Sequence, residues 1–331
     1  MPQISVIIPA YNAEATLIDT VNDVLGQTYK DFEIIIVNDG STDSTFELCD
    51  LLQKKDSRVK VLTQKNGGLS NARNNGIKIS EGKYITLVDA DDRLENCYLE
   101  YLVKAVFNGR VDMSCGRTDR VKEGFVPRNK IDLFKMEIFN SKEAVSEMLT
   151  GKKITVGPCN RLVPREWYIE NPFIEGAKYE DLSNSYKLHL KANSVAYVDV
   201  PIYHYVMRGG SITGAKVVSE KQCVDYFNAI KMCATGVKKV YSDLLSDINV
   251  LVARDFLSLY LCIHRCEHRS LKLKKIEVFI RKWIKNNWVT VVKNNKAPIN
   301  VRLRVVLFWI NPYLYRFMYY IGIRVKGKAI A

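Results

Sequence analysis

Short apolar runs alternate with longer amphipathic stretches over the first hundred residues of the chain. The apolar runs cover residues 4–8, 33–37, 59–62, 84–88 and, less regularly, 111–115. Between them lie stretches with apolar residues at helical spacing, namely residues 13–26, 44–54, 69–79 and 96–107. Nearly continuous apolar strands belong to parallel sheets covered on both faces, so the pattern predicts a doubly wound α/β fold. Ser44 and Glu47 have the spacing of a capping box at the start of the second helix.

The pattern changes after this region. Residues 125–215 are less regular and rich in turns, residues 220–266 are typical of two helices, and basic amphipathic stretches follow residue 271. We therefore expect an α/β domain over residues 1–215 and a mostly helical C-terminal region over residues 216–331.

Composition and charge narrow the class of protein. The 331 residues are 47% hydrophobic and 26% charged, which is typical of a globular protein. The net charge of +13 is uneven, because residues 1–100 carry 10 basic and 16 acidic side chains and residues 201–331 carry 23 and 7. The C-terminal third is therefore expected to meet an anionic partner. Eight scattered cysteines and an N-terminus without a signal peptide predict a cytoplasmic protein with free thiols.

Polar side chains follow three of the predicted strands at their carboxyl ends, where open α/β sheets bind ligands. They are Tyr11, Asn12 and Glu14 after the first, Asp39, Ser41 and Asp43 after the second, and Asp89, Asp91 and Asp92 after the fourth. Each set alone is typical of turns or helix caps. Together, so many carboxylates favour a divalent cation that offsets the charge between the protein and a diphosphate.

Other nucleotide-binding classes lack their motifs in this chain. The turn after the first strand reads Pro-Ala-Tyr-Asn-Ala-Glu, which excludes the glycine-rich turn of a dinucleotide-binding fold. No phosphate-binding loop of the GxxxxGK[ST] type is present. Sugar nucleotidyltransferases also use aspartate pairs, but they usually carry a glycine-rich loop after the first strand.

Four motifs in order resemble family 2 glycosyltransferases of the GT-A fold. They are SVIIPAYN at 5–12, VNDGSTD at 37–43, NGGLSNARNNG at 66–76 and VDADD at 88–92. The resemblance covers about residues 3–215. Bacterial capsule and exopolysaccharide glycosyltransferases are among the enzymes that the chain resembles. It implies a mostly parallel sheet with helices on both faces, a donor half over 1–110 and an acceptor half over 111–215. It also implies inverting transfer of a hexosyl or N-acetylhexosaminyl group from a nucleotide sugar, usually a UDP sugar.

The resemblance also implies roles for individual residues of the donor half. The residues expected to hold the uridine are Pro9, Tyr11, Asn12, Glu14 and Asp39. Asn66, Gly67 and Arg73 would border the nucleotide and the diphosphate. Asp89, with the adjacent Ala90, would meet the ribose or the donor sugar, and Asp91 would ligate Mn²⁺ or Mg²⁺.

The acceptor half continues the match. Arg161 lies in a segment, GPCNRL, that resembles the acceptor side of the site, although lysine is commoner at its position. Glu180 and Asp181 resemble an acidic pair in which Asp181 is the general base, whereas the residues alone would indicate only a helix start. Arg208 resembles a basic residue that clamps the diphosphate. His204 is a candidate second metal ligand or diphosphate contact, although a packed side chain is the commoner role for such a histidine.

The C-terminal region predicts a different partner. Residues 268–331 hold 15 basic residues, one acidic residue and many aromatic ones, the composition of a surface that binds an anionic leaflet. Residues 305–323 are apolar, but Asn311, Pro312 and Arg316 argue against a spanning helix. A helical bundle or a homo-oligomer interface would also explain the region. Nothing resembles a nucleic-acid-binding module.

The combined prediction is a metal-dependent glycosyltransferase that is peripheral at the inner face of a bacterial cell membrane. Its saccharide acceptor would be lipid-linked, for surface polysaccharide synthesis. Two alternatives stay open: a catalytically silent scaffold with this fold, and a sugar nucleotidyltransferase.

Overall fold

The computed structural model describes residues 2–128, 131, 133–208 and 217–328. The chain divides into two compact units, one of Met1–Val145 with Val156–Gly214 and the other of Ser146–Thr155 with Ala215–Ala331. The domain boundary expected at residues 215 and 216 lies outside the described residues, as does the Gly-Gly-Ser segment that follows Arg208.

One mixed sheet organises the first unit. Its strands are β1 (Ile4–Ala10), β2 (Phe32–Asp39), β3 (Val59–Gln64), β4 (Tyr84–Leu87), β5 (Arg93–Leu94), β6 (Met113–Lys122), β7 (Met136–Asn140), β8 (Arg161–Pro164) and β9 (Ser194–Met207). Their order across the sheet is β3-β2-β1-β4-β8-β6-β9-β5, and β7 also pairs with β9. The four strands β3, β2, β1 and β4 are parallel, and β8 is antiparallel to both β4 and β6.

Helices follow the strands in alternation through the donor half. In chain order the helices of the molecule are α1 (Leu17–Leu25), α2 (Thr45–Lys55), α3 (Leu69–Ile79), α4 (Tyr98–Gly109), α5 (Ser141–Thr150), α6 (Arg165–Glu170), α7 (Glu180–Lys191), α8 (Glu220–Val240), α9 (Leu245–Ile263), α10 (Leu271–Lys293), α11 (Ile299–Ile310) and α12 (Pro312–Lys328). Every residue of β1 and β2 is buried, so both faces of this part of the sheet are covered. The predicted α/β fold is confirmed.

The start of the first two helices differs from the sequence prediction. α1 begins at Leu17 rather than at residue 13, because the backbone N–H of Ala13 donates to Thr45 Oγ1 at 2.8 Å and keeps the preceding segment in a loop. The capping box at the start of α2 is wrong, since the Ser44 side chain caps nothing. Asp43 supplies the cap instead, with Oδ1 accepting from the Thr45 backbone N–H at 3.0 Å.

In the second unit, helices α8, α10, α11 and α12 pack around the buried helix α9. Fourteen of the nineteen residues of α9 are buried. The apolar stretch over residues 305–323 is broken where α11 ends at Ile310 and α12 begins at Pro312. Among the helices of the described ranges, none is both long enough and apolar enough to cross a membrane.

Candidate active site

The loops after β1 and β2 are tied together by side chains predicted to bind uridine. Asn12, at a φ of 49°, accepts through Oδ1 from the Thr42 backbone N–H at 2.8 Å. Glu14 accepts through Oε2 from the Ser44 backbone N–H at 3.0 Å, next to the start of α2. Tyr11 stays 52% exposed at the same edge. These contacts hold the two loops in register and leave the Tyr11 ring free to stack on a planar ligand.

Asp39 shapes the third loop of this edge. It is buried at the end of β2, where Oδ1 accepts from the Gly67 backbone N–H at 2.7 Å and Oδ2 from Gly68 N–H at 2.8 Å. Gly68 has a φ of 83°, which favours glycine. The carboxylate therefore fixes the loop that contains Asn66 and Gly67. Both of these residues are exposed at the edge of the sheet.

Two predicted donor-side residues are enclosed in the fold. Pro9 is buried within β1, and Ala90 is 8% exposed in the turn after β4. The carbonyl oxygen of Ala90 accepts from Thr20 Oγ1 at 3.0 Å. Both side chains are buried, so a contact of these residues with a ligand would have to come from their backbones.

A buried guanidinium joins the predicted donor side to the predicted acceptor side. Arg73, on α3, is 1% exposed. Its Nη2 donates to Asp89 Oδ1 at 2.9 Å, its Nη1 donates to Glu180 Oε1 at 2.7 Å, and its guanidinium lies over the Phe173 ring at 5.5 Å. Burial alone would lower the pKa of Arg73, but the charges of Asp89 and Glu180 raise it above the usual value. The arginine is thus a fixed cation between two motifs that lie far apart in the sequence.

We expect Arg73→Met to lower the free energy of unfolding by about 3 kcal/mol, because two partly buried carboxylates would lose their counter-charge. Urea unfolding of the full chain at neutral pH measures the change. Arg58→Met is the matched control, since Arg58 pairs with Asp56 at 2.8 Å in a more exposed setting and such pairs contribute about 0–1 kcal/mol. Equal losses in the two variants would contradict a structural role specific to Arg73.

The turn from Asp89 to Asp92 is held by contacts between Asp92, which the sequence had marked as a polar residue at the strand end, and two residues of β9, which it had not. Asp92 is 1% exposed, accepts through Oδ2 from the Tyr203 hydroxyl at 2.6 Å and through Oδ1 from the Val206 backbone N–H at 3.0 Å. Burial and the charge of Asp89 raise the pKa of Asp92 to about 7. Asp92 therefore anchors the turn to β9. The third acidic residue of the DADD run was the available signal, but its partners on β9 were not visible in the sequence.

Asp91 is the outward-facing carboxylate of the turn. Its side chain is 54% exposed, and its Oδ2 lies 3.0 Å from Arg208 Nη1. Partial burial of the carboxyl group and the nearby charge of Asp89 raise the pKa of Asp91, and Arg208 opposes this effect. Arg208 also donates to the Asp91 carbonyl oxygen. The structure thus brings together two predicted ligand-binding residues, Asp91 and Arg208, at the rim of the site.

His204 has a partner of its own. Its Nε2 lies 2.8 Å from Glu95 Oε1, the side chain is 5% exposed, and its ring packs against Phe125 at 4.4 Å between centroids. Nδ1 is buried and has no hydrogen-bond partner among the described residues. Only Nδ1 is therefore available for a ligand, and metal or diphosphate binding by His204 stays a prediction.

The acceptor-side residues lie on β8 and at the start of α7. Arg161 is 2% exposed on β8, where burial lowers its pKa although the charge of Asp181 acts in the opposite direction. Tyr179 adopts a φ of 62° immediately before α7 and places Glu180 and Asp181 in its first turn. Asp181 Oδ1 accepts from the Leu182 backbone N–H at 2.7 Å. The α7 start therefore presents one carboxylate to Arg73 and keeps a second beside it.

Within the described residues, no group of three or more histidine, cysteine, aspartate or glutamate side chains is arranged to hold a metal ion. Mg²⁺ in proteins commonly takes one or two carboxylates and completes its coordination with water and phosphate oxygens. A site that uses Asp91 would have to be of this open kind.

The mixed sheet and the aspartate turn at the end of β4 define a glycosyltransferase of the GT-A architecture. The sequence model described as "Glycosyl transferase family 2" matches residues 5–171, and the chain belongs to that family.

Two curated relatives support this class, and one solved structure shares its fold. Glycosyltransferase GlyG of Streptococcus pneumoniae serotype 4 is 30% identical over 263 residues, which is 76% of this chain and 84% of the relative. The cholesterol galactosyltransferase of Borreliella burgdorferi is 30% identical over 66% of this chain and 64% of its own. The crystal structure of S. aureus TarS 1-349 in complex with UDP-GlcNAc has a TM-score of 0.70 at 19% identity, with 97% of this chain and 92% of that chain covered. At that identity the TarS likeness concerns the fold.

Proposed function

We propose that the protein transfers a sugar from a UDP sugar to a saccharide acceptor, with inversion at the anomeric carbon and with a divalent metal ion. The observation that carries the proposal is the Arg73 bridge, which holds the donor-side Asp89 and the acceptor-side Glu180 against one guanidinium. A donor and an acceptor that bind on these two sides would meet beside Asp181. The crystal structure of TarS in complex with UDP-GlcNAc supports a UDP sugar as the donor.

The donor would bind across the carboxyl edge of the parallel strands. The exposed Tyr11 ring supplies a stacking surface for uracil, and the loop positioned by Asp39 brings backbone groups of Asn66 and Gly67 to the nucleotide. Asp89 keeps one side-chain edge toward solvent, since its side chain is 35% exposed, and we assign this edge to a ribose or sugar hydroxyl. Recognition of the nucleotide would then depend on loops that are held in place by hydrogen bonds before the donor binds.

The residues of the site fit a divalent cation held mainly by Asp91. Partial burial and, after it, the charge of Asp89 raise the pKa of Asp91; Arg208 opposes this rise, and a bound cation would oppose it further. Such an ion neutralises charge on the departing diphosphate. Because Arg208 now contacts Asp91, we infer that donor binding redirects its guanidinium to the diphosphate oxygens, for which its fork geometry is suited.

Asp181 is proposed as the general base. A positioned carboxylate takes the proton from an acceptor hydroxyl while that oxygen attacks the anomeric carbon and the bond to the diphosphate breaks. Glu180 cannot fill this role while Arg73 donates to it at 2.7 Å, so the two neighbouring carboxylates have separate tasks. One base and one displacement invert the configuration at the anomeric carbon. Arg161 is buried on the acceptor side, where its charge acts on Asp181, so it would help position the base beside the acceptor.

The acceptor is proposed to be lipid-linked, with the enzyme peripheral on an anionic membrane in surface polysaccharide synthesis. The relative from Borreliella burgdorferi is a cholesterol galactosyltransferase, which supports a lipid as part of the acceptor. In this chain, large apolar side chains of α11 and α12 are exposed, among them Ile310 at 63% and Phe317 at 61%. Basic and aromatic residues on the same helices are typical of an interfacial surface. The sugar is proposed to be a hexosyl or N-acetylhexosaminyl group.

We expect the full chain to sediment with anionic phosphatidylglycerol vesicles at low salt and not with phosphatidylcholine vesicles. Basic residues contribute about 1 kcal/mol each near such a surface, and salt weakens this part of the binding. Ile310→Glu should reduce sedimentation several-fold, whereas Leu51→Glu, at a similarly exposed residue of α2, should not. A full-length protein that ignores anionic vesicles would overturn the membrane proposal.

The enzymatic proposal is tested by incubating the protein with a panel of UDP sugars and Mn²⁺ and measuring released UDP. We expect metal-dependent release from at least one donor, with water as the acceptor. A protein that binds UDP but releases none from any donor, even with acceptor extracts, would point to the silent scaffold. Formation of a nucleotide sugar from a sugar phosphate would instead point to a nucleotidyltransferase.

A further inference from the structure

A cavity opens on the second unit, and none of its lining residues is assigned to sugar transfer. It is open to solvent, has a volume of about 460 Å³ and is lined by His264, Tyr313, Arg316, Phe317, Tyr320 and Ile321. His264 follows the end of α9, and the other residues belong to α12. The α12 residues recur at intervals of three and four, so they share one face of that helix. A single helical face with an arginine at its centre therefore forms most of the wall.

The charge balance around this cavity is positive. Glu277 is already paired, since its Oε1 lies 2.6 Å from Arg281 Nη2 and its Oε2 lies 3.4 Å from Arg269 Nη1. Arg316 lies over the Tyr313 ring at 5.8 Å, and no hydrogen-bond or ion-pair partner for it is present among the described residues. The cavity thus holds a guanidinium that has an aromatic neighbour and lacks an anion. Arginine is the side chain best suited to a phosphate group.

His264 does not supply the missing anion contact. Its Nδ1 lies 2.8 Å from the Tyr260 carbonyl oxygen, which requires the proton on Nδ1. Burial lowers the pKa of this histidine, so the neutral ring leaves Nε2 as an acceptor, and Arg269 Nη1 lies 3.3 Å from it. The ring is therefore part of the floor, and Arg316 is the group on the wall that can bind an anion.

Two apolar side chains, Phe317 and Ile321, and the rings of two tyrosines complete the wall and reach the surface. Phe317 is 61% exposed, and Tyr320 and Ile321 are 37% and 39% exposed. Exposed apolar side chains beside a cationic group match a ligand with a charged head and a hydrocarbon chain. A free phosphate ion would use Arg316 but would leave these side chains in water.

We propose that this cavity binds one molecule of a phosphate-bearing lipid, with the phosphate on Arg316 and the hydrocarbon chain along Phe317 and Ile321. This proposal rests on the proposed membrane association of the C-terminal helices. It adds to that association a defined binding site for a single lipid molecule. It makes no use of the residues assigned to sugar transfer.

Monododecyl phosphate, used below its critical micelle concentration, is the probe. Isothermal titration of the full chain should give binding with a stoichiometry near one. Dodecyl maltoside, which has the chain without the phosphate, and inorganic phosphate, which has no chain, should each bind at least tenfold more weakly. Equal binding of dodecyl maltoside would overturn the phosphate site, and equal binding of inorganic phosphate would overturn the lipid site.

Variants locate the binding. Arg316→Gln should weaken dodecyl phosphate at least tenfold, and Ile321→Glu, which places a carboxylate at an exposed position of the wall, should do the same. Lys285→Gln is the control, because it removes one positive charge from an exposed position of α10 outside the cavity and should change affinity less than twofold. Equal losses in Arg316→Gln and Lys285→Gln would show general electrostatics and overturn the proposal. If Arg316→Gln binds dodecyl phosphate as tightly as the wild type, the lipid site in the cavity is wrong. If the wild type nevertheless binds anionic vesicles, the proposed membrane association stands without that site.

Discussion

Asp91→Ala is expected to remove metal-dependent binding of the UDP sugar and nearly all sugar transfer, while the fold stays intact. Asp91 is the exposed carboxylate of the turn after β4, and its main protein contact is to Arg208 at the surface, so its loss costs little stability. The diphosphate would then meet the remaining carboxylates of the edge without a bound cation to offset their charge. Titration calorimetry of the donor with and without Mn²⁺ measures the effect.

Asp50→Ala is the matched control for this variant. Its side chain is 51% exposed on α2, close to the 54% of Asp91, and it makes a single surface ion pair with Lys54. We expect donor binding and transfer within twofold of the wild type. If Asp91→Ala melts normally and still transfers sugar at the wild-type rate, the metal assignment is wrong.

Asp181→Asn is expected to lower the rate of transfer by about 10²- to 10⁴-fold with donor affinity nearly unchanged, which is the usual contribution of a positioned base. The amide keeps the size of the side chain, and its carbonyl oxygen can still accept from the Leu182 backbone N–H. It cannot take a proton from an acceptor hydroxyl. Single-turnover kinetics at saturating donor separate the chemical step from binding.

A second variant distinguishes this role from a structural one. Glu180→Gln should weaken the contact with Arg73 and reduce stability, because it leaves the buried guanidinium with less counter-charge. We expect a smaller loss of stability in Asp181→Asn, because the amide keeps the contact with the Leu182 backbone N–H, although the charge that acts on the buried Arg161 is removed. Loss of donor binding with unaltered turnover in Asp181→Asn would assign Asp181 to structure instead of catalysis.

The donor half of the fold was accessible from the sequence because its signals are local. The buried strands β1, β2 and β4 read as apolar runs, and polar residues mark the carboxyl end of each. The capping box of α2 failed for a physical reason. Asp43, one position earlier, competes for the same backbone N–H groups, and its carboxylate is the stronger acceptor. Where several consecutive residues can each cap a helix, tertiary contacts decide which of them does so.

The contact between the donor side and the acceptor side of the site could not be predicted from the sequence. Arg73 and Glu180 are separated by 107 positions, and nothing in either motif states that one guanidinium meets both carboxylates. The same holds for Asp92 and its partners on β9, which lie 111 and 114 positions away. A motif identifies which residues are polar at a strand end. Only the three-dimensional structure shows which of them face a ligand and which, like Asp92, hold the turn in place.

The central claim is a single displacement at the carboxylate site bridged by Arg73. Proton NMR of an α-linked UDP sugar, hydrolysed by the full chain with diamagnetic Mg²⁺, tests it most directly. The first sugar released should be the β anomer, since one attack from the face opposite the diphosphate inverts the anomeric carbon, and the α anomer should appear only later by mutarotation. Initial release of the α anomer would contradict a single displacement and, with it, the assignment of Asp181 as the base.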